Sequence, residues 1–263
     1  MMARERRERR PPEPTPPPLP PGERPVGQVI AEAIRLYGKR FWACLAIGAP
    51  IGAFGALTSF LHGWSNVIVS LTLGAVLLTL TYVAAAAIVA GRPVPRRRLA
   101  VAFAAGLIVF VPFPALVFLY VFPAVAWLAL VGLAVPAAVI EGTGVVASLK
   151  RGFRLGKADY VHSLGTLASL GIVFYLSTRV LALALNAGSG QAAEIARPVA
   201  EGFLWPVVVL GASLLYFDQV ARLESGPRPR RRRNADVHHA HEPDRAGRAD
   251  AEGEPRPATG GQP

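Results

Sequence analysis

Two carboxylates stand where apolar runs give way to basic segments: Glu141, just before Gly142, and Asp218, at the close of the last apolar run. Lys150, Arg151, Arg154 and Arg222 lie in segments of the same kind. A carboxylate beside lipid persists when it is paired, so these residue types first support ion pairs that lock a surface helix against a bundle. A substrate or proton role is the second use. Arg179 differs, because it is a basic residue well inside an apolar run. An arginine at a helix centre costs about 2.5 kcal/mol or more on insertion scales. Arg179 sits toward one end of its run, where its long stem reaches the headgroups, which makes it an anchor or a contact for an anionic headgroup or substrate.

The other reactive types carry less. His238, His239 and His241 have a spacing that suits a metal, yet no cysteine or ordered scaffold accompanies them. Cys44 is the single cysteine, so no intramolecular disulfide forms, and inside an apolar run it reads as a small packing residue. Ser70, Thr72, Thr79 and Thr81 read as residues bonded to their own helix. No phosphate-binding glycine loop, nucleophile elbow or zinc helix motif occurs, and no catalytic residue, cofactor or metal ligand is assigned.

The elements that must position these residues are set by composition. A chain of 263 residues that is 52% hydrophobic and 17% charged has too little polar surface to coat a soluble globule of its size. Six apolar runs follow: 41–61, 67–90, 99–116, 120–139, 161–185 and 198–217. Residues 99–140 hold no charge over a length about twice the hydrocarbon thickness, so the segment turns back on itself. Pro112, Pro114 and Pro123 mark the expected hairpin, which forms two full spans or a re-entrant loop. Gly48, Gly52 and Gly55 with Pro50 allow close helix approach in the first span. The run starting at 41 is too long and too far from the first residue for a cleavable signal, and it is expected to stay in the membrane.

Charge sets the sidedness. Arg35, Lys39 and Arg40 precede the first run; Arg92 and Arg96 to Arg98 lie between the second and third; Lys150, Arg151, Arg154 and Lys157 lie between the fourth and fifth; Arg222 and further arginines follow the sixth. The alternate connections are nearly neutral, so the basic ones are expected in the cytoplasm together with both termini. The net charge of +11 is placed for membrane orientation and not for nucleic acid. Two basic segments read as interfacial amphipathic helices. One carries Val26, Ile30, Ile34, Tyr37 and Phe41 as its apolar stripe, the other Val146, Leu149 and Phe153. They also share Arg-Leu and Gly-Lys pairs, which is consistent with a duplicated unit of surface helix and hairpin. Residues 1–25, with nine prolines from Pro11 to Pro25, and the polar stretch 224–263 read as disordered arms flanking a membrane domain at 26–223.

Several motifs resemble a bacterial integral membrane domain family. They are Ile34-Arg35-Leu36-Tyr37-Gly38-Lys39-Arg40-Phe41-Trp42; Pro136 through Glu141-Gly142 with Ser148-Leu149-Lys150-Arg151-Gly152-Phe153-Arg154-Leu155; and Tyr216-Phe217-Asp218 with Arg222. The family includes the membrane portion of some glycerophosphodiester phosphodiesterases and stand-alone, uncharacterised members. The resemblance implies a six-helix membrane protein over residues 26–225. It does not imply phosphodiesterase chemistry, which belongs to a separate barrel in those enzymes; the His-Arg motif with a following Glu-Asn pair is missing here.

The expectation is therefore an all-α, polytopic protein of the bacterial inner membrane with about six transmembrane helices and two interfacial amphipathic helices. Its expected role is that of a membrane-embedded scaffold or accessory module, not an enzyme; the alternative is a small permease or lipid-handling transporter. Its expected partners are the lipid bilayer, anionic phospholipid headgroups, and membrane or cytoplasmic proteins. The residues expected in ion pairs or headgroup contacts are Glu141, Arg151, Arg154, Arg179, Asp218 and Arg222.

Overall fold

The computed structural model describes residues 24–185 and 190–225, the side chains of residues 185, 190–195 and 225 excepted. Most of the proline-rich arm and nearly all of the polar tail, with its three histidines, lie outside the described residues. Every described element is a helix. Helix α1 (Val26–Lys39) leads into α2 (Phe41–Ser59). The second apolar run forms α3 (Trp64–Val69) and α4 (Ala75–Ala90), joined by a π-helical turn at Ser70–Gly74. Next come α5 (Arg96–Phe110), α6 (Pro112–Leu119), α7 (Val121–Val131) and α8 (Ala134–Glu141). The chain continues through α9 (Val145–Ala158), α10 (Tyr160–Leu185) and α11 (Gly190–Ser225).

Six stretches are long and apolar enough to cross a membrane: Phe41–Ser59, Trp64–Ala90, Arg96–Leu119, Val121–Glu141, Tyr160–Ala184 and Ala196–Glu224. The protein is thus all-α and polytopic. Trp42, Trp64 and Tyr120 sit near run ends and are 79%, 81% and 73% exposed, the amphipathic rings that collect at membrane–water boundaries.

The region 99–140 makes two helical rods, each of spanning length, and the reversal does not fall on the prolines. The chain turns at Tyr120, whose backbone is extended (φ −163°, ψ 145°). Pro112 and Pro114 open the first turn of α6, where the missing N–H costs no helical bond, and Pro123 lies in the first turn of α7. These prolines initiate helices on either side of the reversal. At the opposite end, Gly91 (φ +67°) and Gly142 (φ +72°) close α4 and α8 in the left-handed conformation that glycine adopts without strain.

Small residues build the core. Ala75, Ala85, Ala86, Ala102, Ala134 and Ala138 are buried where α4, α5 and α8 meet, and they let backbones approach as bilayer-embedded helices require. The glycine stripe of α2 serves the same end against α11. A methyl group at Gly48 would land on the carbonyl oxygen of Gly202, and one at Gly52 would stand 2.7 Å from that of Pro198. Thr72, Thr79 and Thr81 donate to carbonyls of their own helix, and Ser70 donates to Asn66 one turn earlier. Cys44 is fully buried in this core.

The two surface helices seat on the bundle with faces that share only part of their apolar stripes, Tyr37 in α1 and Leu149 in α9. In α1 the buried residues are Val29 and Ala33, with Leu36 and Tyr37 packed nearby, while Ile34 is 53% exposed. In α9 the buried residues are Ser148, Gly152, Leu155 and Gly156, and Val146 and Phe153 point outward. Gly152 and Gly156 are four residues apart on one face. A methyl group at Gly152 would run into the backbone of Ala134, and one at Gly156 would stand 2.5 Å from the carbonyl oxygen of Leu130. Helix α9 therefore docks on protein through small residues, and both surface helices leave an apolar edge free.

Candidate functional site

The charged residues gather at two ends of the bundle. At the end carrying the arginine-rich connections, α8 stops at Glu141 and α9 begins at Val145, so the carboxylate emerges beside the docked face of α9. Arg151 Nε donates to Glu141 Oε1 at 2.7 Å, and the Tyr216 hydroxyl on α11 donates to the same oxygen at 2.7 Å. One carboxylate thus joins three helices. Its hydrogen bond holds Arg151 above the ordinary guanidinium range, against a smaller opposing effect of burial. Arg92 adds a tie by donating to the Ile140 carbonyl at 2.8 Å, and Arg98 lies over Gly142.

A second node lies one junction further along. Asp159 sits between α9 and α10, and its Oδ1 accepts from the His162 N–H at 3.1 Å, an N-cap that satisfies an orphan donor in the first turn. Its Oδ2 accepts from Arg222 Nη1 at 2.9 Å. Arg222 also donates to Asp218 Oδ2 at 3.0 Å through Nε and to the Arg24 carbonyl at 3.3 Å through Nη2. Asp218 is fully buried, and His162 Nε2 lies 2.8 Å from its Oδ2. Gln219, also fully buried, donates to the Asp159 carbonyl. Arg222 therefore clasps the α9–α10 junction, α11 and the segment entering α1. Arg24 belongs to the structured part as well, pairing with Glu32 at 2.8 Å.

The far end is organised differently. Arg179 on α10 donates from Nε and Nη2 to the Tyr175 hydroxyl, 3.3 Å from each, with its guanidinium 5.3 Å from the centre of the same ring. Arg197 and Glu201, four residues apart on α11, pair at 2.8 Å. These side chains line a cleft of about 430 Å³ with Phe174 and Thr178.

Of the six residues singled out in the sequence, the structure brings Glu141 to Arg151 and Asp218 to Arg222. It leaves Arg154 exposed, with no hydrogen bond or ion pair among the described residues, and it puts Arg179 at the opposite end. Sequence reasoning missed Asp159, His162, Tyr216, Arg197 and Glu201. The polar break Ala158-Asp159 between basic and apolar helices was a usable N-cap signal for Asp159. His162 had none, since its role depends on how α10 and α11 meet, and Tyr216 stood in a motif of the family resemblance that did not point to its bond with Glu141. No group of three metal-binding side chains occurs among the described residues. No family model, curated protein or solved structure matches the chain.

Proposed function

We propose that this chain is a membrane-embedded scaffold or accessory module of the bacterial inner membrane, with both ends and its basic loops in the cytoplasm, and that it performs no catalysis of its own. One observation carries this reading: each carboxylate at the basic end is held by a basic side chain from another element, Glu141 by Arg151, Asp159 by Arg222 and Asp218 by His162. Glu141, Asp159 and Asp218 together fasten α8, α9, α10 and α11, which is what a rigid platform requires and what a relay of mobile protons or substrates would have to undo. The resemblance to membrane domains whose chemistry resides in a separate barrel supports the same reading. The outward apolar edges of α1 and α9, beside basic residues, suit contact with an anionic leaflet, where each Lys or Arg adds about 1 kcal/mol. The arrangement leaves the exposed basic side chains of α9, Arg154 among them, for lipid or protein partners.

The alternative is a small permease or lipid-handling transporter, and the cleft at the far end is the observation in its favour. Membrane abundance and function separate the two. A scaffold predicts that Glu141→Gln lowers abundance and thermal stability, with co-purifying proteins falling in proportion. Wild-type abundance and stability with loss of a solute or lipid flux would overturn the scaffold reading.

A further inference from the structure

We propose that the cleft between α10 and α11, at the end remote from the arginine-rich loops, binds the phosphodiester headgroup of one phospholipid in that leaflet. The argument starts from the state of its polar groups. Arg179 has no carboxylate partner among the described residues; its bonds go to the Tyr175 hydroxyl one turn back on the same helix. Arg197 is 75% exposed, and its Nε alone is taken by Glu201. Thr178 lines the cleft, is 93% buried by its 7% exposure, and has no hydrogen-bond partner for Oγ1. Ser163 and Thr166 on the same helix also have buried hydroxyls without a partner, but of these three only Thr178 lines the cleft. A buried hydroxyl without a partner costs free energy that a ligand oxygen would recover.

The charge and the depth agree with one ligand class. Among the described residues, two arginines and one glutamate line the cleft and leave it a single positive charge, and a phosphodiester carries one negative charge. Guanidinium groups match phosphate oxygens with paired N–H donors. Arg179 lies nineteen residues beyond Tyr160, about 28 Å along the helix at 1.5 Å per residue, so it stands one hydrocarbon thickness from the basic end. Arg197 and Glu201 begin the returning span and reach the same level. A site at that depth faces headgroups, whereas a transport site lies near the midplane. Leu183 lines the cleft and is 71% exposed, giving it an apolar margin for a glycerol backbone and chains. A free phosphate shares the oxygen chemistry but has no use for that margin.

The test is native mass spectrometry of the full chain purified in mild detergent and supplied with phosphatidylglycerol, or with diacylglycerol of the same chains. The expected result is one phosphatidylglycerol equivalent retained by the wild type and lost by Arg179→Gln/Arg197→Gln, a fall of about tenfold or more in occupancy. Thr178→Val, a near-isostere that removes only the hydroxyl, should lower it about threefold to tenfold. It carries the test if the double variant does not elute as a single species. Diacylglycerol should not occupy the site, and inorganic phosphate in millimolar excess should not displace the lipid. Undiminished retention in Thr178→Val and the double variant overturns the proposal, as does equal retention of diacylglycerol. Displacement by inorganic phosphate overturns the lipid assignment in favour of a soluble anion.

Discussion

The two ends of the bundle use the same residue types and put them to opposite uses. At the basic end, Glu141 reaches Arg151 on α9 and Tyr216 on α11, and Asp159 and Asp218 reach Arg222 and His162 across α10 and α11. At the far end, Arg197 pairs with Glu201 and Arg179 with Tyr175, each within one helix at a spacing of four. A bond between elements resists their separation, while one within an exposed helix contributes about 0.3–0.5 kcal/mol and fixes no tertiary geometry. What separates a structural charge from an available one here is whether its partner lies on another element.

The comparison is broken most severely where packing, not charge, makes the pairs possible. Gly152→Leu would drive a side chain into the backbone of Ala134, which cannot yield as a flexible side chain would. Overpacking costs about 1–3 kcal/mol where the surroundings can shift, and a backbone obstacle puts this variant at or above the top of that range. Helix α9 should leave its seat and take Arg151 away from Glu141, so membrane abundance should collapse; wild-type levels of folded protein would contradict the docking. Asp218→Asn comes next. It keeps the shape and removes the charge that faces both His162 and Arg222, and deleting one partner of a buried pair costs about 3–5 kcal/mol. A thermal transition unchanged from wild type would show that Asp218 is not a structural group.

How much of this was legible in the sequence follows from what each feature depends on. The spans depend on length and hydropathy, properties of a local window, so the six runs emerge with ends displaced by a few residues. The hairpin at 99–140 was visible as a necessity, but its turn was placed on the prolines. Pro112 and Pro114 are read as breakers when they act as helix starters, and Tyr120, an unremarkable residue for a turn, makes the reversal. For α1 and α9 the periodicity marks helices whose apolar stripes are expected in the leaflet interface, and it does not reveal the second face that seats each helix on the bundle. A hydropathy stripe finds what avoids water, and both protein and lipid answer to that description. Gly152 and Gly156 mark the protein-facing side by their size, so spacing of small residues was the informative pattern in α9. Pairs such as His162 with Asp218 required the crossing of α10 and α11, which single-chain patterning does not contain.

Smaller changes sharpen the contrast between the ends. Glu141→Gln leaves the Tyr216 bond possible and removes the charge opposite Arg151, in a pair whose side chains are each 26% exposed; the expected loss is about 1–2 kcal/mol, discounted for solvent screening. Its pH behaviour follows from Arg151. The folded value is raised above the unfolded one, so the stabilisation is complete below the unfolded value and is given up only as pH climbs through the folded value, in strongly alkaline solution. The difference in melting temperature between wild type and Glu141→Gln should therefore stay constant from about pH 7 to about pH 9, and a difference that shrinks over that range would remove the guanidinium from the account.

The smallest expected effect is at Arg179, and it is the most discriminating. Glutamine there removes a charge whose contacts are one hydroxyl and one aromatic face on its own helix, both largely exposed, so the stability change should lie within about 0.5 kcal/mol. Removing a charge from near the headgroup level also lowers the cost of insertion, which offsets what the tyrosine contact contributed. Thermal unfolding in detergent, run beside Asp218→Asn, measures both ends on one scale. If Arg179→Gln destabilised the fold as strongly as Asp218→Asn, Arg179 would have to be tied to another element, and the division between a fastened end and an available end would fail.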